Sequence, residues 1–136
     1  ESTAIEAGKR PGRGVTAMMK IQDLVDKIKR ETDPAKVGMI ACHNGVVRGT
    51  SRAGEPAEHL DIDIDRDAWD RILGEMRGEP GISAVEAHLF TGRRMVGDDV
   101  LLIAVGGDIR ENVLPVLEKT LNRLKKEAVL KQEKLK

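Results

Sequence analysis

Residues 59–77, HLDIDIDRDAWDRILGEMR, change their period in mid-course. From His59 to Asp65 apolar and acidic residues alternate strictly, with Leu60, Ile62 and Ile64 on one side and Asp61, Asp63 and Asp65 on the other. That is the pattern of a β-strand with one wet face. From Asp67 to Arg77 the apolar positions become Trp69, Ile72, Leu73 and Met76, the spacing of an amphipathic helix, with Asp65 or Asp67 as its N-cap. A strand that runs straight into a helix points to an α+β chain.

The same two periods recur outward from this junction. Ile21, Leu24, Val25 and Ile28 repeat at helical spacing and stop near Asp33-Pro34, and Val37 to Arg48 reads as extended. Ile82 to Leu89 and Asp99 to Val105 are further strands, separated by a Gly97-Asp98 turn. A last helix is expected from Asn112, as cap, to Lys125 or beyond, with Pro115 in its first turn. Strands joined partly by helices and partly by short turns predict a mixed sheet with helices on one face. Residues 1–17, rich in Gly, Pro and small polar residues, read as a flexible leader to one domain over 18–136.

Composition excludes several functions. The chain has 136 residues, 40% hydrophobic and 34% charged, with 23 basic against 23 acidic residues, as in ordinary globular proteins. Trp69 and Phe90 are its only aromatic residues, too few for the stacking platforms of a single-strand nucleic-acid binder. One cysteine and three scattered histidines form no zinc pattern, and no apolar run approaches the roughly 20 residues of a membrane span. Neither a metal, a cofactor, a nucleic acid nor a membrane is therefore expected, and the cytoplasm is the simplest location. The acidic run around residue 63 also fails as a calcium loop, since Arg66 and Ile72 stand where Gly and Glu are needed.

Three stretches suggest anion chemistry. In GVVRG, residues 45–49, two glycines flank a short apolar run that ends in Arg48, aimed either at water or at an anion. GGDIR, residues 106–110, leaves a strand for a helix start, where free N–H groups and the helix dipole favour an anion near Arg110. LKKEAVLKQEKLK, residues 124–136, is either a solvated basic end or holds a lysine whose proton is loosened by other cations.

In order along the chain, GVVRGTSRAGE, the acidic strand and helix, and GRRMVGDDVLLIAVGGDIRENVLPVLEKTLNRLKKEAVLKQEKL resemble the large, catalytic subunit of molybdopterin synthase. The resemblance covers roughly residues 36 to 135. It implies an α/β hammerhead fold, with a largely antiparallel sheet, and a homodimer. A ubiquitin-like small sulfur carrier, inserted at each end, would complete a heterotetramer. The carrier's C-terminal Gly-Gly thiocarboxylate would deliver sulfur to cyclic pyranopterin monophosphate, making the dithiolene of molybdopterin. By the same resemblance Arg48 and Arg110 would bind substrate or the carrier tail, and Lys131 would be catalytic. Lys125 or its neighbour Lys126 would stand for the family's other lysine, Lys125 as catalyst and Lys126 as a substrate contact. The chain departs from the family where AVLKQE lacks a Pro and a Trp and shortens the lysine spacing by one residue. It also departs where Leu89-Phe90 replace a His-Arg pair and where Ile109 replaces a histidine. A non-catalytic pterin- or carrier-binding chain on the same scaffold is the alternative.

Overall fold

Strand β5 (Asp99–Gly107) organises the molecule. Its run from Val100 to Val105 is apolar without a break, which suits a strand covered on both faces. In the structure, a computed structural model that describes residues 19–136, Leu101, Ile103 and Val105 join one core and Leu102 and Ala104 another. The first core lies against helices α2 (Arg66–Arg77) and α3 (Arg110–Arg123), through residues such as Ile72, Met76, Val113 and Val116. The second lies under α1 (Ile21–Glu31), through Leu24 and Ile28. Helices thus cover both faces of this sheet, not the single face expected. The run VLLIAV hides that arrangement, because every position is apolar and no alternation marks the two faces.

β5 is the centre of a three-stranded sheet, flanked by β1 (Met39–Val46) and β3 (Ile82–Leu89). A second three-stranded sheet has β2 (Ala57–Ile64) between β4 (Gly92–Met95) and β6 (Val129–Leu135). All pairings are antiparallel. Instead of one mixed sheet the described residues build two antiparallel ones, consistent with the expected α+β class. The leader expected over residues 1–17 lies outside the described residues.

Most element limits fall where the sequence places them. Asp65 is the N-cap of α2, its carboxylate accepting from the Ala68 N–H at 3.1 Å. Two elements escape the sequence reading. β4 is four residues, GRRM, without an apolar alternation to announce it. β6, read as a helix extension or a loose basic end, pairs with β2 over its length, with Ile64 facing Val129, Ile62 facing Lys131 and Leu60 facing Glu133.

Helix α3 begins two residues before the expected cap. Asn112 lies inside it and donates its side-chain amide to Asp108 at 2.8 Å. Pro115 therefore sits in the second turn, where its missing N–H leaves the Glu111 carbonyl without its helical donor. After Arg123 the helix widens into a π-helical turn, Leu124–Ala128, closed by the Val129 N–H on the Leu124 carbonyl. Leu124 and Ala128 are fully buried and fix that turn to the core.

Leu102, fully buried at the centre of β5, anchors the α1 side of the sheet. Leu102→Ala is expected to cost about 2–5 kcal/mol of stability, measured as the loss in free energy of urea unfolding.

Candidate functional site

The β2–β6 register decides which side chains look inward. Leu60 and Ile62 belong to the apolar face of β2, and their cross-strand partners Glu133 and Lys131 share that face. Both charged residues, with Val129, consequently line a cavity of about 390 Å³. Its remaining wall comes from Leu101 of β5, His43 and Gly45 of β1, the loop that follows β1, and Lys125 of the π-helical turn. This volume is within the usual range for a small-molecule site.

Among the described residues, four cations reach this cavity from two segments. Arg48 and Arg52 come from the loop between β1 and β2, and Lys125 and Lys131 from the end of the chain. Buried Val47 holds the loop in place: its N–H donates to the Asp98 carbonyl at 2.9 Å, and its carbonyl accepts from the Gly97 N–H at 2.8 Å. Arg48 follows directly and turns into the cavity. Among the described residues none of the four is engaged in an ion pair, although Glu133 lines the same space.

Crowding has an electrostatic consequence. Partial burial, followed by the charges of Lys131, Arg52 and Arg48, holds the Lys125 ammonium below the ordinary lysine range. His43 is likewise pushed down, first by burial and then by Lys125, so its imidazole favours the neutral form. Its Nε2 is buried and, among the described residues, has no hydrogen-bond partner. Gly45 makes room for that ring, since a Cβ there would lie 2.8 Å from Nε2. Gly49, by contrast, has nothing within 4 Å of its Cβ position. Of the two glycines around the Val-Val-Arg run, only Gly45 is required by a close approach.

The other sequence candidates lie elsewhere. Lys126, one residue beyond Lys125, is exposed and does not line the cavity. Arg110 is 78% exposed at its side chain, with Glu111 at 3.7 Å, and does not line the cavity. The corner before it already contains an anion: the Asp108 carboxylate accepts from the Ile109 N–H at 2.7 Å and from Asn112. The Asn112 hydrogen bond, then that of Ile109, holds the Asp108 carboxyl below its ordinary range. The glycines there serve packing, for a Cβ on Gly106 would crowd the Ile28 side chain and one on Gly107 would strike the Gly81 carbonyl and Val113. An external anion at this corner is thus replaced by the chain's own carboxylate. Leu89 and Phe90 are both buried in the cores.

Arg52 and His43 are the cavity residues that sequence reasoning missed. A turn through Ser51 to Pro56 is legible, but not the direction in which its arginine faces. His43 is one of eight residues in an extended run whose two faces are not distinguished by polarity. Among the described residues no group of three or more His, Cys, Asp or Glu could hold a metal ion, and no helix is long and apolar enough to cross a membrane.

A family model described as "MoaE protein" matches residues 15–127. The match stops short of β6, so Lys131 and Glu133 lie beyond it. Among solved structures the chain is similar to molybdopterin synthase from Staphylococcus aureus, with 20% identity and a TM-score of 0.68 over 82% of this chain and 84% of that one. It is similar also to molybdopterin cofactor biosynthesis protein E from Burkholderia multivorans, with 22% identity and a TM-score of 0.70 over 87% and 82%. A third likeness is to the complex of subunits 1 and 2 of the molybdopterin-converting factor from Helicobacter pylori, with 18% identity and a TM-score of 0.65 over 85% and 78%. At these identities the structural likenesses establish the fold. No curated protein matches the chain.

A lysine whose pKa falls on folding opposes the fold while charged. That penalty is complete below the folded pKa and fades as pH rises through it toward the unfolded value. Lys125→Met is therefore expected to unfold at a higher urea concentration than the parent chain at neutral pH. The difference should narrow as the medium is made alkaline, as followed by urea midpoints across that range.

Proposed function

The chain belongs to the MoaE protein family, the large-subunit family of molybdopterin synthase, and from that membership we propose that its cationic cavity transfers sulfur to cyclic pyranopterin monophosphate. The sulfur comes from the C-terminal thiocarboxylate of a small ubiquitin-like carrier, the counterpart of the other subunit in the Helicobacter pylori complex. Two transfers make the dithiolene. The observation that carries this reading is the convergence of Arg48, Arg52, Lys125 and Lys131 on one cavity without internal ion pairs among the described residues. Two anionic reactants would repel each other in so small a space. A surplus of fixed positive charge removes that repulsion and holds both in reach of one another.

Arg48 offers a planar fork suited to a phosphate or a carboxylate. Lys131, fixed on a strand, stabilises the negative charge that develops as the thiocarboxylate reacts. Lys125, its proton loosened by partial burial and then by its cationic neighbours, is the group best prepared to protonate a leaving oxygen. Lys126 and Arg110 have no place in this cavity within one chain. The working assembly is a cytosolic homodimer with a carrier at each end. In the alternative, a binding chain without turnover, the same cavity holds pterin and carrier tail but yields no product.

Incubating the chain with a thiocarboxylated carrier and the cyclic pterin should give dithiolene product. Lys125→Ala and Lys131→Ala should each lower its rate by about 100-fold or more, and Lys126→Ala should leave it unchanged. Absence of product with a carrier that demonstrably binds would instead establish the non-catalytic alternative.

A further inference from the structure

We propose that Arg52 is a further substrate-binding residue, a guanidinium mounted on a pre-formed turn to take one of the two oxyanions that meet in the cavity. This rests on the reading of the cavity as their meeting place. The turn is the first observation. The Gly54 N–H donates to the Ser51 carbonyl at 2.9 Å, placing Arg52 and Ala53 at the two central positions of a tight turn. Ser51 is buried, donates its N–H to the Glu55 carbonyl at 2.6 Å and accepts the Glu55 N–H on its hydroxyl at 3.1 Å. Gly54, at φ +90°, supplies the backbone conformation that closes the loop. A Thr50–Pro56 bridge and the Ala57 N–H on the Gly49 carbonyl, at 3.0 Å, fasten its base. An ordinary surface loop needs no such anchoring to carry an arginine in water.

The second observation is charge. Arg52 lines the cavity with three other cations and, among the described residues, has no carboxylate within ion-pair distance. Four like charges around one hollow raise each other's energy, and the field of Arg52 is felt at Lys125 ahead of that of Arg48. An oxyanion lying between them relieves that repulsion. The guanidinium fork recognises it by two parallel N–H bonds, and the fixed turn leaves only side-chain freedom to be lost on binding. The supply is matched to the demand: two segments bring two cations each, and two reactants bring one anionic group each. The oxyanion belongs either to the carrier's terminal carboxylate or to the pterin's phosphate, and both present the same acceptor chemistry to Arg52.

The test is equilibrium binding to the purified chain of two probes, a peptide ending in Gly-Gly with a free C-terminal carboxylate and cyclic pyranopterin monophosphate. The same peptide with an amidated terminus serves as the uncharged reference. Arg52→Met should weaken one of the two anionic probes by about 10- to 100-fold, the value of one charge-assisted hydrogen-bonded contact. Arg52→Lys should fall between it and the parent. Arg30→Met, which removes the same charge from the exposed side of α1, should change nothing. Loss confined to the carboxylate peptide, and absent with its amide, assigns Arg52 to the carrier; loss confined to the pterin assigns it to the phosphate. If Arg52→Met binds both probes as the parent does, or loses no more than Arg30→Met, the proposal is overturned. If the parent chain binds neither probe, the reading of the whole cavity falls with it. Unchanged urea midpoints in the variants exclude misfolding as the cause.

Discussion

Everything at the cavity depends on side-chain parity between β2 and β6. In an antiparallel pair, residues opposite one another point to the same face, so the apolar face of β2 determines which β6 residues turn inward. With Ile62 opposite Lys131, the lysine is committed to the interior side of its sheet. A slip of one residue would send Lys131 to solvent and bring Leu130 or Gln132 into its place. Fully buried Ala128 at the strand's entry, with Val129 packed inward opposite Ile64, holds the correct phase, because the slip would turn Val129 out of the core. A hydrophobic requirement of the core thus places a charged group for chemistry.

Two kinds of force therefore meet at one place. The apolar row of β2 and the buried Leu124 and Ala128 hold the walls together, while the four cations those walls carry repel one another. This repulsion is an unrelieved cost, and together with the larger effect of partial burial it lowers the proton affinity of Lys125. The same tension prepares the cavity for anions. Strain of this sort is affordable because the cores on both sides of β5 are extensive and the charges sit at their margin.

Sequence periodicity revealed what has a period. The helical spacing of Leu24 and Ile28, the alternation of Leu60, Ile62 and Ile64, and the change of pattern at Asp65 all correspond to elements of the structure. It failed where polarity carried no alternation. β4 is too short and charged to show one, and in β6 the inward positions are Val129, Lys131 and Glu133, so a strand with a functional inner face looks like a polar tail. The unbroken apolar run of β5 concealed its two-sided burial for the opposite reason. At the cavity, the resemblance to the family drew attention to Arg48, Lys125 and Lys131. Arg52 and His43 needed three-dimensional information, because the facing of a turn and the depth of a β1 side chain depend on partners far away in sequence. At the helix start by Arg110 the reason is local, since Asp108 puts the chain's own carboxylate on the Ile109 N–H and the Asn112 side-chain amide.

The π-helical turn that carries Lys125 and precedes the strand of Lys131 gives this segment an unequal tolerance of length change. Such a turn holds one residue more than an α-helical turn, so losing a residue between Leu124 and Ala128 can be absorbed by tightening the coil, with the strand that follows still in phase. Losing a residue from Val129 or Leu130 has no such reserve, for it inverts the strand's facing. Over a few adjacent codons, evolution is thus free to alter the spacing of the two lysines on one side of Val129 and barred from doing so on the other.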